Sequence, residues 1–200
     1  MAKIEWLGHA SFRITNGVTV YIDPWKLSGD TPKADLILVS HSHGDHLSPE
    51  DIEKVRAAET AILCAKDCVE KIGGEVTGVG PAETHEVAGV TVRTTPAYNT
   101  DKEFHPREND WLGFVVTVGG ETIYYAGDTD VTPVMAELGQ VDVALLPVGG
   151  TYTMDAKEAA QAADTIKPGR CIPYHWGDIV GTREDAEQFE KLCACPTKIQ

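Results

Sequence analysis

The chain has 200 residues, enough for one domain with a sizeable buried core, and its 42% hydrophobic content is typical of a soluble globular protein. No apolar run reaches the roughly 18 residues of a membrane span, so we expect a cytoplasmic protein that contacts no membrane. The formal net charge of −14 argues against nucleic acid as a partner, because a polyanion would be repelled. The five cysteines, an odd number, favour reduced thiols over a disulfide framework.

The chain contains the same succession of predicted elements twice. The pairs are β-hairpins at 11–23 and 113–128, buried strands at 34–41 and 141–148, and short strands at 60–64 and 170–175. Asp23 and Asp128 each follow the tryptophan of a "WLG" by 17 residues. Two such halves, about 1–105 and 106–200, predict a single α/β domain, an αββα sandwich with internal pseudo-twofold symmetry. Loops at matching strand ends would meet along one edge, where we expect a shared site.

A predicted helix follows each buried strand, and each begins with a capping signal. Ser48 precedes Pro49, which suits the first helical position, and Asp155 with Glu158 three residues later predicts a capping box. A further helical segment is predicted at 182–192.

A dense group of metal-ligand side chains follows the first buried strand. The segment "VSHSHGDHLSPED" holds three of the seven histidines in the chain. Residues two apart on a strand point the same way, so His41 and His43 can face a common point. Gly44 permits a sharp turn that brings Asp45 and His46 round to it. Because imidazole and carboxylate groups are good ligands for divalent metals, the segment predicts a metal site.

The H-x-H-x-D-H pattern after a buried strand resembles the signature of the metallo-β-lactamase superfamily. Further segments resemble this family in the same order: "GHASF" at 8–12, "YAGDT" at 125–129, "GGTYTMDAKEAAQAA" at 149–163 and "PYHWGD" at 173–178. The likeness is greatest to small cytosolic metal-dependent hydrolases grouped with the L-ascorbate-6-phosphate lactonases, and is more distant to N-acyl-phosphatidylethanolamine phospholipase D. The resemblance implies the same αββα sandwich that the repeat predicts.

The resemblance also implies a site for two metal ions. His41 and His43 would bind one ion, Asp45, His46 and His175 the second, and Asp128 both. Zn²⁺ or Mn²⁺ is the expected metal, and the same N and O donors also suit Fe²⁺ and Co²⁺. Asp23 is expected to accept a hydrogen bond from a ligating histidine rather than to bind metal.

One ligand of the family pattern is missing from its usual position. The family supplies a third histidine to the first ion from the loop after "PA", where this chain has Tyr98 and Asn99. His105 could reach back to complete the shell, or the first ion is weakly held or absent. Alternatively His105 contacts substrate, as Tyr98 and Asn99 would, or lies at the surface. We expect the substrate pocket to be lined by the loops 24–33, 98–111 and 149–154.

The predicted chemistry is hydrolysis. A divalent ion lowers the pKa of bound water from about 16 to about 7, and two ions can share one hydroxide. We expect this hydroxide, fixed by Asp45 and Asp128, to attack a small ester, lactone or phosphodiester. His9, which follows the first strand, or His105 would bind an anionic group or protonate the leaving group; the alternative for His9 is a buried turn histidine. The alternative is a non-catalytic metal-dependent sensor or binding module, for which the missing histidine is the one supporting feature.

Overall fold

The computed structural model describes residues 1–200 and contains two six-stranded mixed sheets. The first sheet consists of β1 (Lys3–Gly8), β2 (Ser11–Thr15), β3 (Thr19–Ile22), β4 (Leu36–Val39), β5 (Ala61–Ala65) and β6 (Thr77–Val79), in that order. The second sheet consists of β7 (Thr84–Val87), β8 (Val90–Pro96), β9 (Leu112–Val118), β10 (Glu121–Tyr125), β11 (Val143–Pro147) and β12 (Arg170–Tyr174). The helices are α1 (Pro49–Val55), α2 (Val69–Ile72), α3 (Ala156–Ile166) and α4 (Arg183–Leu192). None of them is long and apolar enough to cross a membrane.

The two sheets have matching connectivity, which confirms the predicted αββα sandwich. The antiparallel hairpin β2–β3 corresponds to β9–β10, and each hairpin continues into two parallel strands, β4 and β5 or β11 and β12. β1 lies antiparallel to β2 as β8 lies antiparallel to β9. Consequently the C-terminal ends of β1, β3 and β4 lie together at one end of the first sheet. The C-terminal ends of β8, β10 and β12 lie together at one end of the second sheet.

The principal core lies between the sheets, and a second core lies under the helices that cover the second sheet. Tyr125 and Tyr174 stack with ring centroids 5.0 Å apart, and Phe12 of the first sheet packs against both rings. Tyr124, the neighbour of Tyr125, points the other way and packs with residues of α3 and α4. This period-two alternation is what a sheet covered on both faces requires. It gives the strand ends a rigid support.

The predicted helix caps are confirmed. The Ser48 side chain accepts a hydrogen bond from the backbone of Asp51, and Pro49 begins α1. Asp155 and Glu158 form the reciprocal capping box at the start of α3. α4 occupies Arg183–Leu192, within the predicted segment, and all five cysteines are free.

The chain passes from the first sheet to the second between Val79 and Thr84, well before the division near residue 105 that the sequence suggested. The hairpin β7–β8 pairs with β9 and therefore belongs to the second sheet. β7 is an edge strand with no fully buried side chain, so its sequence carries little apolar alternation. The boundary was misplaced for this reason.

Candidate metal centre

The predicted metal ligands converge at the edge where the parallel strands of both sheets end. His9 follows β1, Asp23 follows β3, residues 41–46 follow β4, His105 lies in the loop after β8, Asp128 follows β10, and His175 follows β12. Every one of these side chains except those of His43 and Asp45 belongs to a buried residue. The sandwich therefore brings six separate segments into one small volume.

His41, His43 and His105, here called the first group, offer ring nitrogens that all lie within 4.8 Å of one another. Nε2 of His41 lies 3.1 Å from Nδ1 of His43. The loop after β8 returns to the sheet edge and brings His105 to the other two histidines. Trp111 packs its indole against all three imidazoles, with ring centroids 4.7 Å, 4.7 Å and 5.4 Å away, and forms the back wall of the group.

Asp45, His46 and His175, the second group, lie beside the first. Their donor atoms and Nε2 of His9 are all within 4.8 Å of one another. His9 is fully buried and its Nε2 lies 2.9 Å from Oδ2 of Asp45. Burial lowers the pKa of His9, so the neutral ring donates this hydrogen bond.

The contact with Asp45 corrects the expectation that His9 acts directly on a substrate. The ring of His9 has no exposed surface and does not line the cleft, so it positions Asp45 instead. Burial alone would raise the pKa of Asp45, but the hydrogen bond from His9 and the field of His46 outweigh it and lower the pKa to about 2. Asp45 is thus an ionised carboxylate at neutral pH.

Asp128 lies between the two groups. Its Oδ2 is 3.2 Å from Nε2 of His105, 3.2 Å from Nε2 of His175 and 3.3 Å from Nε2 of His46, and Nε2 of His41 follows at 3.9 Å. Burial opposes ionisation of this carboxyl, but the imidazoles, those of His175 and His46 foremost, hold its pKa well below the usual range. One oxygen atom therefore faces donor atoms of both groups.

Asp23 holds two of the histidines from behind. Its carboxylate accepts hydrogen bonds from His46 Nδ1 at 2.8 Å, Ser40 Oγ at 2.5 Å and the Tyr125 hydroxyl at 2.6 Å. Because Ser40 gives its only hydroxyl hydrogen to Asp23, it accepts from Nδ1 of His41, 2.9 Å away. Asp23 and Ser40 thus hold Nδ1 of the two imidazoles, and Nε2 of each faces the centre. Burial opposes protonation of His46, but the carboxylates of Asp128 and Asp23 outweigh it and raise the pKa of His46 well above its usual value, so a cation bound to its Nε2 would displace a proton.

The backbone of a distant loop fixes His105 in the same way. Nδ1 of His105 lies 3.0 Å from the carbonyl oxygen of Tyr152, which can only accept, so Nδ1 holds the proton. The Asn99 amide donates to the carbonyls of Tyr152 and Phe104 at 2.7 Å and 2.9 Å. Neither Asn99 nor Tyr98 lines the cleft, contrary to the expectation that they contact substrate. Asn99 is buried and supports the loop that carries His105.

The donor set fits a divalent cation. Apart from Nδ1 of His9 and of His175, the imidazole and carboxylate atoms of this centre that are buried without a hydrogen-bond partner are Nε2 of His46, His105 and His175, and Oδ1 of Asp128. Buried polar atoms are almost always paired, and each unpaired one costs roughly 1–3 kcal/mol. A cation would satisfy all of them together, and nitrogen with carboxylate oxygen is the ligand chemistry of Zn²⁺, Mn²⁺ and Fe²⁺.

Four residues of the centre adopt left-handed backbone conformations. The φ angles are 48° for His9, 46° for Asp23, 56° for His105 and 63° for His175. Only a few per cent of non-glycine residues lie in this region. Such conformations gather where the surrounding structure imposes them for function. Nothing in the sequence signals them.

The two groups form the floor of a cleft of about 260 Å³. Its lining consists of His43, Asp45, Phe104, His105, Asp128, Tyr152, His175 and Ile179. Phe104 and Tyr152 meet edge to face with centroids 4.6 Å apart, and the side chains of Phe104 and Ile179 are among the few large apolar ones that remain exposed. The predicted loops 98–111 and 149–154 contribute to this lining, whereas 24–33 does not. Ile179, in the turn after β12, was not anticipated.

Comparison with known proteins agrees with this architecture. The profile of the beta-lactamase superfamily domain matches residues 3–175. A UPF0173 metal-dependent hydrolase of Pyrococcus abyssi is 38% identical over an alignment 216 residues long, gaps included. The alignment covers 100% of this chain and 95% of the relative. The crystal structure of a Parabacteroides distasonis protein assigned as a metal-dependent hydrolase has a TM-score of 0.90 and 31% identity, covering 100% of this chain and 92% of that one. Igni18, a metallo hydrolase of Ignicoccus hospitalis, has a TM-score of 0.79 and 25% identity, covering 100% and 94%. The chain therefore belongs to the metallo-β-lactamase superfamily and, within it, to the metal-dependent hydrolases.

Proposed function

We propose that the chain hydrolyses a small uncharged ester or lactone in this cleft, with divalent metal ions held by the two groups. The observation that carries the proposal is a single cavity with metal-ligand donors at its floor and apolar side chains at its mouth. Family membership supports the hydrolytic chemistry. The nature of the rim supports the class of substrate.

The ligand assignment follows the grouping of donor atoms. His41, His43 and His105 would hold one ion, Asp45, His46 and His175 a second, and Asp128 both. Bound divalent ions supply Lewis acidity, which lowers the pKa of water and polarises a substrate oxygen. Asp45 and Asp128 both line the cleft and are both ionised at neutral pH, so each can accept a hydrogen bond from a water molecule that enters. His9 keeps Asp45 in place for that role.

The rim of the cleft favours a neutral substrate over a phosphodiester. Proteins recognise phosphate oxygens chiefly with arginine and lysine, and neither lines this cleft. Lys26 is paired with Asp178 at 2.8 Å, and Lys102 is paired with Asp130. Phe104, Tyr152 and Ile179 instead offer apolar surface to an acyl chain or a lactone ring.

The alternative function, a non-catalytic sensor, depended on the missing third histidine. His105 lies with His41 and His43, so that feature no longer argues for an incomplete centre. Two carboxylates that are open to the cleft also favour catalysis over simple metal retention.

The test compares turnover of p-nitrophenyl butyrate and a γ-lactone with turnover of bis-p-nitrophenyl phosphate, in protein reloaded with Zn²⁺ or Mn²⁺. We expect kcat/KM for the ester or the lactone to exceed that for the phosphodiester by at least about tenfold. Asp128→Asn should abolish turnover. His85→Asn should retain it, because that imidazole lies on β7 and contacts Glu83. Preference for the phosphodiester would overturn the substrate class, and no turnover of any compound would favour the sensor.

A further inference from the structure

Three thiols meet in the core under α3 and α4, near the start of β12 and away from the strand ends that carry the cleft. Cys171, Cys193 and Cys195, here called the thiol cluster, place their Sγ atoms within 4.8 Å of one another. The Sγ atoms of Cys171 and Cys193 are 3.9 Å apart. Cys171 is the second residue of β12, and His175, which follows the strand, lies about 13 Å further along the chain. Cys171 packs into the core under α3 and α4. The thiol cluster is therefore separate from the metal centre described above.

The backbone holds the three thiols together. Cys193 ends α4 and donates its N–H to the carbonyl of Phe189. The chain then turns and runs beside β12, where the N–H of Cys171 donates to Pro196 at 2.8 Å and the N–H of Lys198 donates to Cys171 at 2.9 Å. Both sides of Cys195 are thus anchored. The arrangement is built into the fold and does not depend on a surface loop.

The spacing of the sulfur atoms suits a metal ion. Three sulfur atoms around one ion, each at about 2.3 Å and in one plane with it, would be separated by about 4.0 Å. The distance of 3.9 Å between the Sγ atoms of Cys171 and Cys193 agrees with this value. Small side-chain rotations would bring the other two Sγ–Sγ distances, which are at most 4.8 Å, to the same value. No imidazole or carboxylate belongs to the cluster, so its donors are all soft.

We propose that Cys171, Cys193 and Cys195 form a binding site for a soft, thiophilic metal ion, with Cu(I) the ion expected to bind most tightly. Thiolate ligands select Cu(I) and Zn²⁺ among biological metals. Three sulfur ligands complete the coordination shell of Cu(I), whereas Zn²⁺ prefers four ligands. The site does not rest on the proposed hydrolase activity.

Binding of a metal ion at the thiol cluster releases protons from the cysteines. Burial raises the pKa of the Cys171 thiol far above its usual value, and burial also raises the pKa of the Cys195 thiol. The Cys171 and Cys195 thiols of the metal-free protein therefore keep their protons at neutral pH. Each ion that binds three thiolates displaces three protons to solvent. Affinity should accordingly rise with pH.

The histidine and aspartate centre is first filled with Zn²⁺. Cu(I) is then titrated under argon in competition with bicinchoninate, whose Cu(I) complex is coloured and gives the readout. The wild-type protein should withdraw one Cu(I) per chain from the chromophore. The double variant Cys193→Ser, Cys195→Ser should withdraw none. Cys64→Ala, which removes a buried thiol outside the cluster, should behave as wild type. X-ray absorption of the wild-type complex should find only sulfur neighbours, at about 2.3 Å.

Two controls keep the result interpretable. Circular dichroism and ester hydrolysis should be unchanged in the double variant. If that variant does not fold, Cys195→Ser alone, at a partly exposed position, should weaken Cu(I) binding at least about tenfold, since it removes one of three ligands. Equal Cu(I) uptake by a folded serine variant, no uptake by the wild type, or nitrogen neighbours in the absorption spectrum would overturn the proposal.

Discussion

The segments 40–48 and 97–111 both deliver ligands to the first group, but they are positioned by different kinds of contact. The first is set by its own neighbours. The N–H groups of His46 and Leu47 donate to the carbonyl of His43 at 3.0 Å and 2.8 Å, and the Ser48 cap starts α1 directly afterwards. A tight turn between a buried strand and a capped helix leaves the ligands little freedom.

The second segment is set by residues far along the chain. His105 is oriented by Tyr152, and its loop is tied to the turn after β10 through Lys102, which contacts Asp130 and lies 3.7 Å from Glu158. Thr100 also donates its N–H to Asp130 at 2.7 Å. The comparison teaches that the backbone of one ligand of the first group is held by contacts with distant residues, whereas the backbone of the other two is held by a local turn. Changes that loosen the second segment should therefore affect the first ion selectively.

Asp128→Asn should have the largest effect, because this carboxylate faces both groups. We expect both ions to bind more than about a hundredfold more weakly, since loss of even an outer hydrogen-bond partner of a ligand costs about 10–100-fold. Metal content after gel filtration, measured by plasma mass spectrometry, checks this. Retention of two ions by a folded Asp128→Asn protein would show that Asp128 does not join the groups.

His105→Ala should remove one ion and spare the other. The variant takes one of three nitrogens from the first group and leaves Asp45, His46 and His175 in place. Isothermal titration with Zn²⁺ should show the loss of the weaker binding event and an unchanged tighter one. If both events persist with wild-type affinity while KM rises, His105 binds substrate. If kinetics are also unchanged, it has no role in the site.

Asn99→Ala should lower the affinity of the first group for its ion by about tenfold, the lower end of the range for groups that orient a ligand. It should also reduce the free energy of unfolding by roughly 1–3 kcal/mol, because the carbonyls of Phe104 and Tyr152 lose a buried donor. Metal titration and urea denaturation measure the two effects. Asn109→Ala, at an exposed position in the same loop, serves as control. Equal loss of both ions in Asn99→Ala would contradict a selective role.

Lys102→Met should have the smallest effect, a few-fold lower affinity of the first group for its ion. The ion pair with Asp130 is partly exposed, and such pairs contribute about 0–1 kcal/mol. Release of the loop should appear as faster amide hydrogen exchange over residues 98–105. Lys157→Met, an exposed change on α3, should alter neither quantity. Unchanged exchange in Lys102→Met would mean that the other contacts alone hold the loop.

The elements with strong local signals were predictable from the sequence. The hairpins at 11–23 and 113–128 and the capped helices have a chemical cause that is visible within a few residues, and the sandwich follows from the repetition of such elements. The histidine-rich turn after β4 belongs to the same class. A motif of this kind needs no information about the rest of the fold.

The remainder depended on contacts between distant residues. The carbonyl that orients His105 belongs to Tyr152, 47 positions away, and no local pattern connects them. The inward position of Asn99, where its amide supports the backbone, also had no local signal in the sequence. Cys171 likewise meets Cys193 and Cys195 only because the chain after α4 returns to β12.

The left-handed conformations at His9, Asp23, His105 and His175 lead us to expect that the lifetime of this protein depends on the supply of metal ions. Each costs about 1 kcal/mol or more relative to glycine, which adopts such angles freely. Selection for heat resistance alone would therefore favour glycine at these positions and remove two ligands, His105 and His175, and the side chains of His9 and Asp23 that position others. Bound metal stabilises only the folded state, by an amount that grows with the ratio of free ion to its dissociation constant. Under metal starvation the strained apoprotein should unfold more often and be degraded faster, so its abundance should follow metal availability without any dedicated regulator.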